Sequence, residues 1–211
     1  MPVRITLRIN EDYSPFRDML KFLINSPLGD SLLLCSGYIQ EGLWNFNILK
    51  EELLDCIKGG CSQGEVITVA GKLSDPKWKQ SYINFIDGLE DAGIKVIPCI
   101  APELNWHAKI AMRLAGTPHE PIAALIGSSN LTRPSWDQAK DTSWNFEGDV
   151  LLWADVEELN SYFGTQYQPR VRFGDIRLVL DDKVHQYNEK EQLRLLYSHI
   201  RHSGITRFKR R

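Results

Sequence analysis

Apolar positions along this chain alternate between two periods. Residues 3–9 (VRITLRI) alternate apolar and polar, the period-2 pattern of a strand, and predict a strand at a sheet edge. From Ser14 to Asn25 the spacing turns helical, with Phe16, Met19, Leu20 and Leu23 on one side. Ser14 is placed to cap that helix, Pro15 opens its first turn, and Pro27 and Gly29 end it. Ser31–Ile39 (SLLLCSGYI) reads as a buried strand and Leu49–Lys58 as an amphipathic helix closed by Gly59 and Gly60. Glu65–Ala70 (EVITVA) is a further strand. Asp75 and Pro76 open a helix running to Ala92 and closed by Gly93, and Ile94–Ile100 (IKVIPCI) is the next strand. Two more apolar runs flank the turn-rich segment Gly116–Pro121 and predict a hairpin. A long polar segment follows, then a strand over Glu147–Trp153, a helix over Val156–Tyr167, a strand over Asp175–Leu180, and a helix over Glu189–Ser203 ended by Gly204.

Strands joined by helices imply parallel pairing with helices on the sheet faces, and the hairpin adds an antiparallel element. The expectation is an α/β fold, an α-β-α sandwich around a mixed, mostly parallel sheet. The chain has 211 residues, 43% hydrophobic and 25% charged, which suits one ordinary globular core. A net charge of −2 confines any nucleic-acid binding to a local basic patch. Cys35, Cys56, Cys61 and Cys99 form no C-x-x-C pair, metal signature or disulfide framework, so no cofactor is expected and a reducing, cytoplasmic setting is favoured. The first residues read as no signal peptide and no apolar run approaches membrane-spanning length, so no membrane association is expected.

Candidate chemistry concentrates between Trp106 and Asn130 (WHAKIAMRLAGTPHEPIAALIGSSN). His107 and Lys109 share one strand face by period 2. A hairpin centred near Pro118 and His119 sets Lys109 opposite Ser128 and His107 opposite Asn130, and opposed residues share a face with Cβ atoms about 5 Å apart. A phosphodiester is an anion, so an attacking group needs cationic and hydrogen-bonding neighbours. A neutral imidazole can attack phosphorus and form a phospho-histidine, Lys109 supplies charge, and Ser128 and Asn130 supply directional donors.

The residues H-A-K at 107–109 and G-S-S-N-L-T at 127–132 resemble the signature of the phospholipase D superfamily, more its nuclease and restriction-endonuclease branch than its lipases. The resemblance implies a phospholipase D-like catalytic domain over residues 1–170, followed by a strand–helix extension with a basic tail over 171–211, packed on the same domain. It implies a metal-independent phosphodiesterase, most simply a DNA nuclease, with His107 as nucleophile, Lys109 and Asn130 holding the phosphate, and a later acidic residue orienting the histidine. Ser128, Ser129 and Thr132 are the further substrate-binding candidates. Glu147, in Asn145-x-Glu147, matches the acidic position and could accept from His107 Nδ1; Asp137, Asp141 and Asp149 are its rivals. Two positions depart from the signature. Leu114 stands where the family has an aspartate, and the gap from Lys109 to Gly127 is longer.

A single histidine cannot attack one side of phosphorus and protonate the other, so one copy of the motif implies a homodimer with two His107 residues across a composite site. In so short a chain, low sequence specificity or a partner protein that supplies targeting is expected. A phospholipid-processing transferase and an inactive DNA- or protein-binding module are the alternatives. Trp136 and Trp144 read either as core cover or as bases' stacking partners. The tail TRFKRR reads as solvated and mobile, or as a phosphate contact together with Arg194 and Arg201. His119, His185, His199 and His202 read as surface residues.

Overall fold

The computed structural model describes residues 2–8, 14–101, 107–137, 145–166, 175–179, 189–202 and 205–209. In chain order the elements are β1 (Pro2–Arg8), α1 (Pro15–Ile24), β2 (Ser31–Ser36), β3 (Glu41–Leu43), β4 (Phe46–Asn47), α2 (Leu53–Gly60), β5 (Glu65–Ala70), α3 (Pro76–Asp91), β6 (Lys95–Ile100), β7 (Lys109–Ala115) and β8 (Glu120–Gly127). There follow α4 (Arg133–Trp136), β9 (Glu147–Trp153), α5 (Glu157–Ser161) running into a π turn at Tyr162–Gln166, β10 (Asp175–Val179), α6 (Glu189–His202) and β11 (Thr206–Arg207). The predicted helix starts hold: Ser14 Oγ accepts from Arg17 N at 3.2 Å and Asp75 Oδ1 from Lys77 N at 2.8 Å.

One sheet runs β10-β1-β9-β8-β7-β2-β5-β6-β11, so the segments before and after residue 170 share it. It is mixed but mostly antiparallel, which corrects the expected mostly parallel sheet. Among the described strands only β2–β5 and β5–β6 pair in parallel, where α2 and α3 provide helical crossovers between neighbouring strands. β1 is not an edge strand, since it lies between β9 and β10. The C-terminal tail is not free through Lys209: Thr206 and Arg207 pair with Ile100 and Cys99, and Phe208 is buried against Tyr82. Trp136 is core, edge-on to Phe16; Trp144 lies outside the described residues, as do Asp141 and His185.

Each sheet face carries its own core. Leu32, Leu34, Val66, Ala111, Leu125 and Leu151 pack against α1, α2 and α3, whereas Leu33, Ile67, Ile110, Met112 and Ala124 pack against Leu193 and Ile200 of α6. The layers are thus helix, sheet, helix, as expected. Among the described residues no helix is long and apolar enough to cross a membrane.

Two details position the rest. The turn between β7 and β8 falls one residue earlier than expected, and Ile122 is an extra residue opposite the Arg113–Leu114 step. The result pairs Lys109 with Gly127, not with Ser128, and the predicted register is corrected by one residue. At the other end of β7, Arg113 is 2% exposed yet bonded on all sides. It donates to the carbonyls of Leu28 (3.2 Å), Gly29 (2.6 Å) and Gly60 (2.7 Å) and to Cys61 Sγ (3.3 Å), tying the end of α2 and the turn before β2 to the sheet. Gly29 has φ +86°, and a Cβ there would lie 2.6 Å from the Leu114 carbonyl. Also at that end, His119 is not a plain surface residue. Its ring lies between Tyr197 Oη (3.3 Å from Nδ1) and Glu65 (3.6 Å from Nε2).

Replacing Arg113 by Met keeps length and loses every donor, leaving three carbonyls unpaired. Urea unfolding of Arg113→Met should show a loss of about 3 kcal/mol or more; an unchanged midpoint would remove this residue from the list of fold determinants.

Candidate active site

Strand alternation on β9 sends Glu147 and Asp149 to the same face, and both are buried, at 6% and 3% exposure. The loop after β8 meets them with two successive serines. Ser128 Oγ donates to Glu147 Oε2 and accepts from Gly148 N at 3.0 Å. Ser129 Oγ donates to Asp149 Oδ2 at 2.6 Å, and Ser129 N donates to Asp149 Oδ1 at 3.3 Å. Glu147 Oε1 accepts further from Ser135 Oγ and Asn145 Nδ2, both at 3.1 Å. The buried Arg8 guanidinium is paired in register with Glu147 across β1–β9 and donates to the carbonyls of Pro134 (2.6 Å) and Asp137 (2.7 Å). Burial holds Arg8 below its usual range, with the Glu147 and Asp137 carboxylates opposing that fall.

Gly127 is required by this arrangement. Lys109, Gly127 and Asp149 form one row across β7, β8 and β9. A Cβ on Gly127 would fall on Asp149 Oδ1 and within 2.6 Å of the Gly148 carbonyl. The missing side chain is the space that the Asp149 carboxylate fills. Burial pushes Asp149 up to about 6; the Ser129 bonds pull it down and the neighbouring Glu147 carboxylate adds to the rise.

The loop then crosses to the end of β2. Asn130 Oδ1 accepts from Tyr38 N at 3.2 Å; Ser36 Oγ lies 3.3 Å from that oxygen, donates its one proton to the Tyr38 carbonyl at 2.6 Å and accepts from Leu131 N at 3.2 Å. A backbone N–H can only donate, so the Asn130 amide must present its oxygen here. Its Nδ2 has no partner among the described residues and is left for an outside acceptor. Exposed His107 precedes β7, with Nδ1 3.5 Å from Lys109 Nζ. Partial burial lowers Lys109, Glu147 counters this, and Lys72 adds to the fall.

His107, Lys109, Ser128, Asn130 and Glu147 therefore gather at one end of the sheet, as the sequence suggested, in different pairings. Glu147 accepts from Ser128, Ser135 and Asn145, and His107 Nδ1 sits beside Lys109 instead. Ser129 is buried against Asp149. Thr132 is buried, its carbonyl accepting from Ser135 N and Trp136 N at the start of α4. Asp137, once a rival acid, pairs with Arg133 at 2.9 Å. The alternation of EGDVLLW places Asp149 on the same face as Glu147, a signal present in the sequence. Ser36, Ser135 and Arg8 carried no sequence signal, because tertiary contacts alone bring them here. Among the described residues no cluster of His, Cys, Asp or Glu could hold a metal ion.

Gly127→Ala should destabilise the fold by about 1–3 kcal/mol through overpacking, read as a lower thermal midpoint. Asp149 gives a pH signature. Its folded-state value, about 6, lies above the ordinary 3.8, so the stability its proton contributes is full below about pH 4 and lost as pH rises through about 6. Asp149→Asn keeps an acceptor for Ser129 N and removes the titration. The variant should gain on the order of 3 kcal/mol relative to wild type between about pH 4 and pH 7; parallel stability–pH curves would contradict the shift.

No family model matches the chain, and no curated protein matches it in sequence. Solved structures of similar fold include Nuc, a phospholipase D family member from Salmonella typhimurium, at 16% identity over 84% of this chain and 100% of that one, with a TM-score of 0.45. NucT from Helicobacter pylori is similar at 18% identity over 77% of this chain and 94% of its own, with a TM-score of 0.42. Yeast tyrosyl-DNA phosphodiesterase is similar at 13% identity over 72% of this chain and 47% of its own, with a TM-score of 0.47.

Proposed function

We propose that this protein is a phosphodiesterase that cleaves DNA through a covalent phosphate on His107, with two copies of the chain contributing to one composite site. The observation that carries the reading is the contact of the exposed His107 ring with Lys109 Nζ, at the same end of the sheet as an Asn130 amide whose orientation Tyr38 N fixes with Nδ2 turned to other acceptors. An ammonium and an amide N–H are donors suited to the two non-bridging oxygens of a diester, and an imidazole is suited to its phosphorus.

The Lys109 contact also sets the resting form of His107. A protonated lysine only donates, so Nδ1 beside it accepts and the ring proton sits on Nε2. With the proton on Nε2, that ring does not attack. A diester that draws the ammonium onto its own oxygens releases Nδ1 to take up the ring proton and leaves Nε2 free to attack. In the forward step the Nε2–P bond forms, the P–O bond to the leaving nucleotide breaks, and the His107 of the second copy, entering as the imidazolium, protonates the departing oxygen and becomes a neutral imidazole. Water then attacks phosphorus, losing its proton to that second imidazole, and the N–P bond breaks to release the phosphate end. Ser128 and Glu147 position the loop: the Ser128 proton is committed to Glu147. No step in this scheme requires a metal.

The test is cleavage of DNA in EDTA. Wild type should cleave, and His107→Ala should lose roughly a thousandfold or more, with an acid-labile phosphate trapped on His107 during wild-type turnover. Light scattering should give twice the chain mass, and excess His107→Ala protein mixed into wild type should suppress its activity. Equal activity of the variant, dependence on added Mg²⁺, or a fully active monomer would each overturn the scheme.

A further inference from the structure

Tyr38 does two things at once. Its backbone N–H holds the Asn130 amide, and its ring leaves the site to meet Trp78 of α3, with centroids 4.6 Å apart. Trp78 in turn meets Trp44 edge-on at 5.4 Å. Trp44 is 62% exposed, an unusual position for the largest apolar side chain. It stands at the tip of the β3–β4 hairpin with φ +50°, followed by Asn45 at +57°, a left-handed turn that a bulky residue rarely adopts.

The hairpin is braced, so the exposure is not fraying. Ser81 Oγ accepts from Glu41 N at 2.6 Å, and Asn84 Nδ2 donates to the Glu41 carbonyl at 3.3 Å. Gln40 links the hairpin to the catalytic loop: Nε2 donates to the Leu43 carbonyl at 2.8 Å while Oε1 accepts from Arg133 N at 2.9 Å. The ladder is completed by the Gln40 N bond to the Leu131 carbonyl at 2.8 Å. Cations accompany the rings. Lys72, whose N donates to the Gly37 carbonyl at 3.2 Å next to Tyr38, is close enough to depress Lys109.

We infer that Tyr38, Trp78 and Trp44 form an aromatic strip on which unpaired bases of a single-stranded nucleic acid stack as they leave the scissile phosphate. The inference rests on the phosphodiesterase reading and names the form of its substrate. Rings next to a site that carries the Lys72 and Lys109 ammoniums suit a strand carrying both bases and phosphates. In a duplex the base faces are covered by their neighbours, so an exposed indole gains a stacking partner only from an unpaired base. Continuity with Asn130 places the strip beside the phosphate-binding groups.

The test measures binding, in His107→Ala protein so that the strand stays intact. Fluorescence anisotropy would compare labelled oligothymidylate, an abasic strand of the same length, and a duplex. Oligothymidylate should bind tightest. Trp44→Ala should weaken it roughly tenfold and leave the abasic strand unchanged, and Trp44→Phe should recover most of the loss. Because Trp44 is exposed, the variant's thermal midpoint should stay at the parent value. Duplex preference, an unchanged oligothymidylate affinity, or an equal loss on the abasic strand would overturn the strip. These readings do not depend on turnover, so an inactive wild-type enzyme would sink the phosphodiesterase scheme and leave this result legible.

Discussion

Two hydroxyls facing two buried carboxylates set the geometry of everything at this end of the sheet. Glu147 and Asp149 sit two apart on β9, on the face that α1 covers, where carboxylates are costly without partners. Ser128 and Ser129 provide those partners, one each, and so dictate the path of the chain after β8. The path leaves Asn130 against Ser36 and Tyr38 at the end of β2, with Lys109 in register beside Gly127. A polar interaction in the interior thus fixes an amide and an ammonium at the surface. Gly127 belongs to the same constraint, since any side chain there would occupy the place of the Asp149 carboxylate.

The partition of charge follows. Residues buried at this end are bonded within the protein: Asp149 to Ser129, Glu147 to three donors, Arg8 to two carbonyls. Those left with capacity for an outside ligand, His107 and the Nδ2 of Asn130, stand above them. Asp149, pushed up to about 6, changes charge state near neutrality in the space that Gly127 leaves open. A site built this way gains rigidity from groups that never meet the substrate.

Much of the fold was legible because local signals coincide with element ends. Ser14 with Pro15, and Asp75 with Pro76, mark helix starts in the sequence and serve as caps in the structure. EVITVA and EGDVLLW gave β5 and β9 to the residue. The parallel β2–β5–β6 pairings and the β7–β8 hairpin were legible from their connections, whereas the antiparallel majority of the sheet and the exact register were not, because non-neighbouring strands and a bulge at Ile122 leave no local pattern. For the site, spacing in H-A-K and G-S-S-N was enough to bring its members together. It could not say which serine faces which acid, since a one-residue difference in register decides that. The β3–β4 hairpin leaves no pattern in the sequence, because its strands are three and two residues long, too short to show a period.

Leu114 bears on whether the site can work without the aspartate that the resembled signature carries. β7 separates Lys109 from Leu114 by five residues, about 17 Å of strand. Leu114 is fully buried on the face covered by α6, the opposite face from Lys109, and its carbonyl accepts from Asp30 N at 3.0 Å. What holds that end of the strand is its neighbour Arg113, bonded to the carbonyls of Leu28, Gly29 and Gly60. An apolar residue at 114 therefore completes the second core, while the polar anchoring of the strand is done at 113. The substitution changes how the far end of β7 is fastened, and it leaves the row of Lys109, Gly127 and Asp149 where the hydroxyl–carboxylate pairs put it.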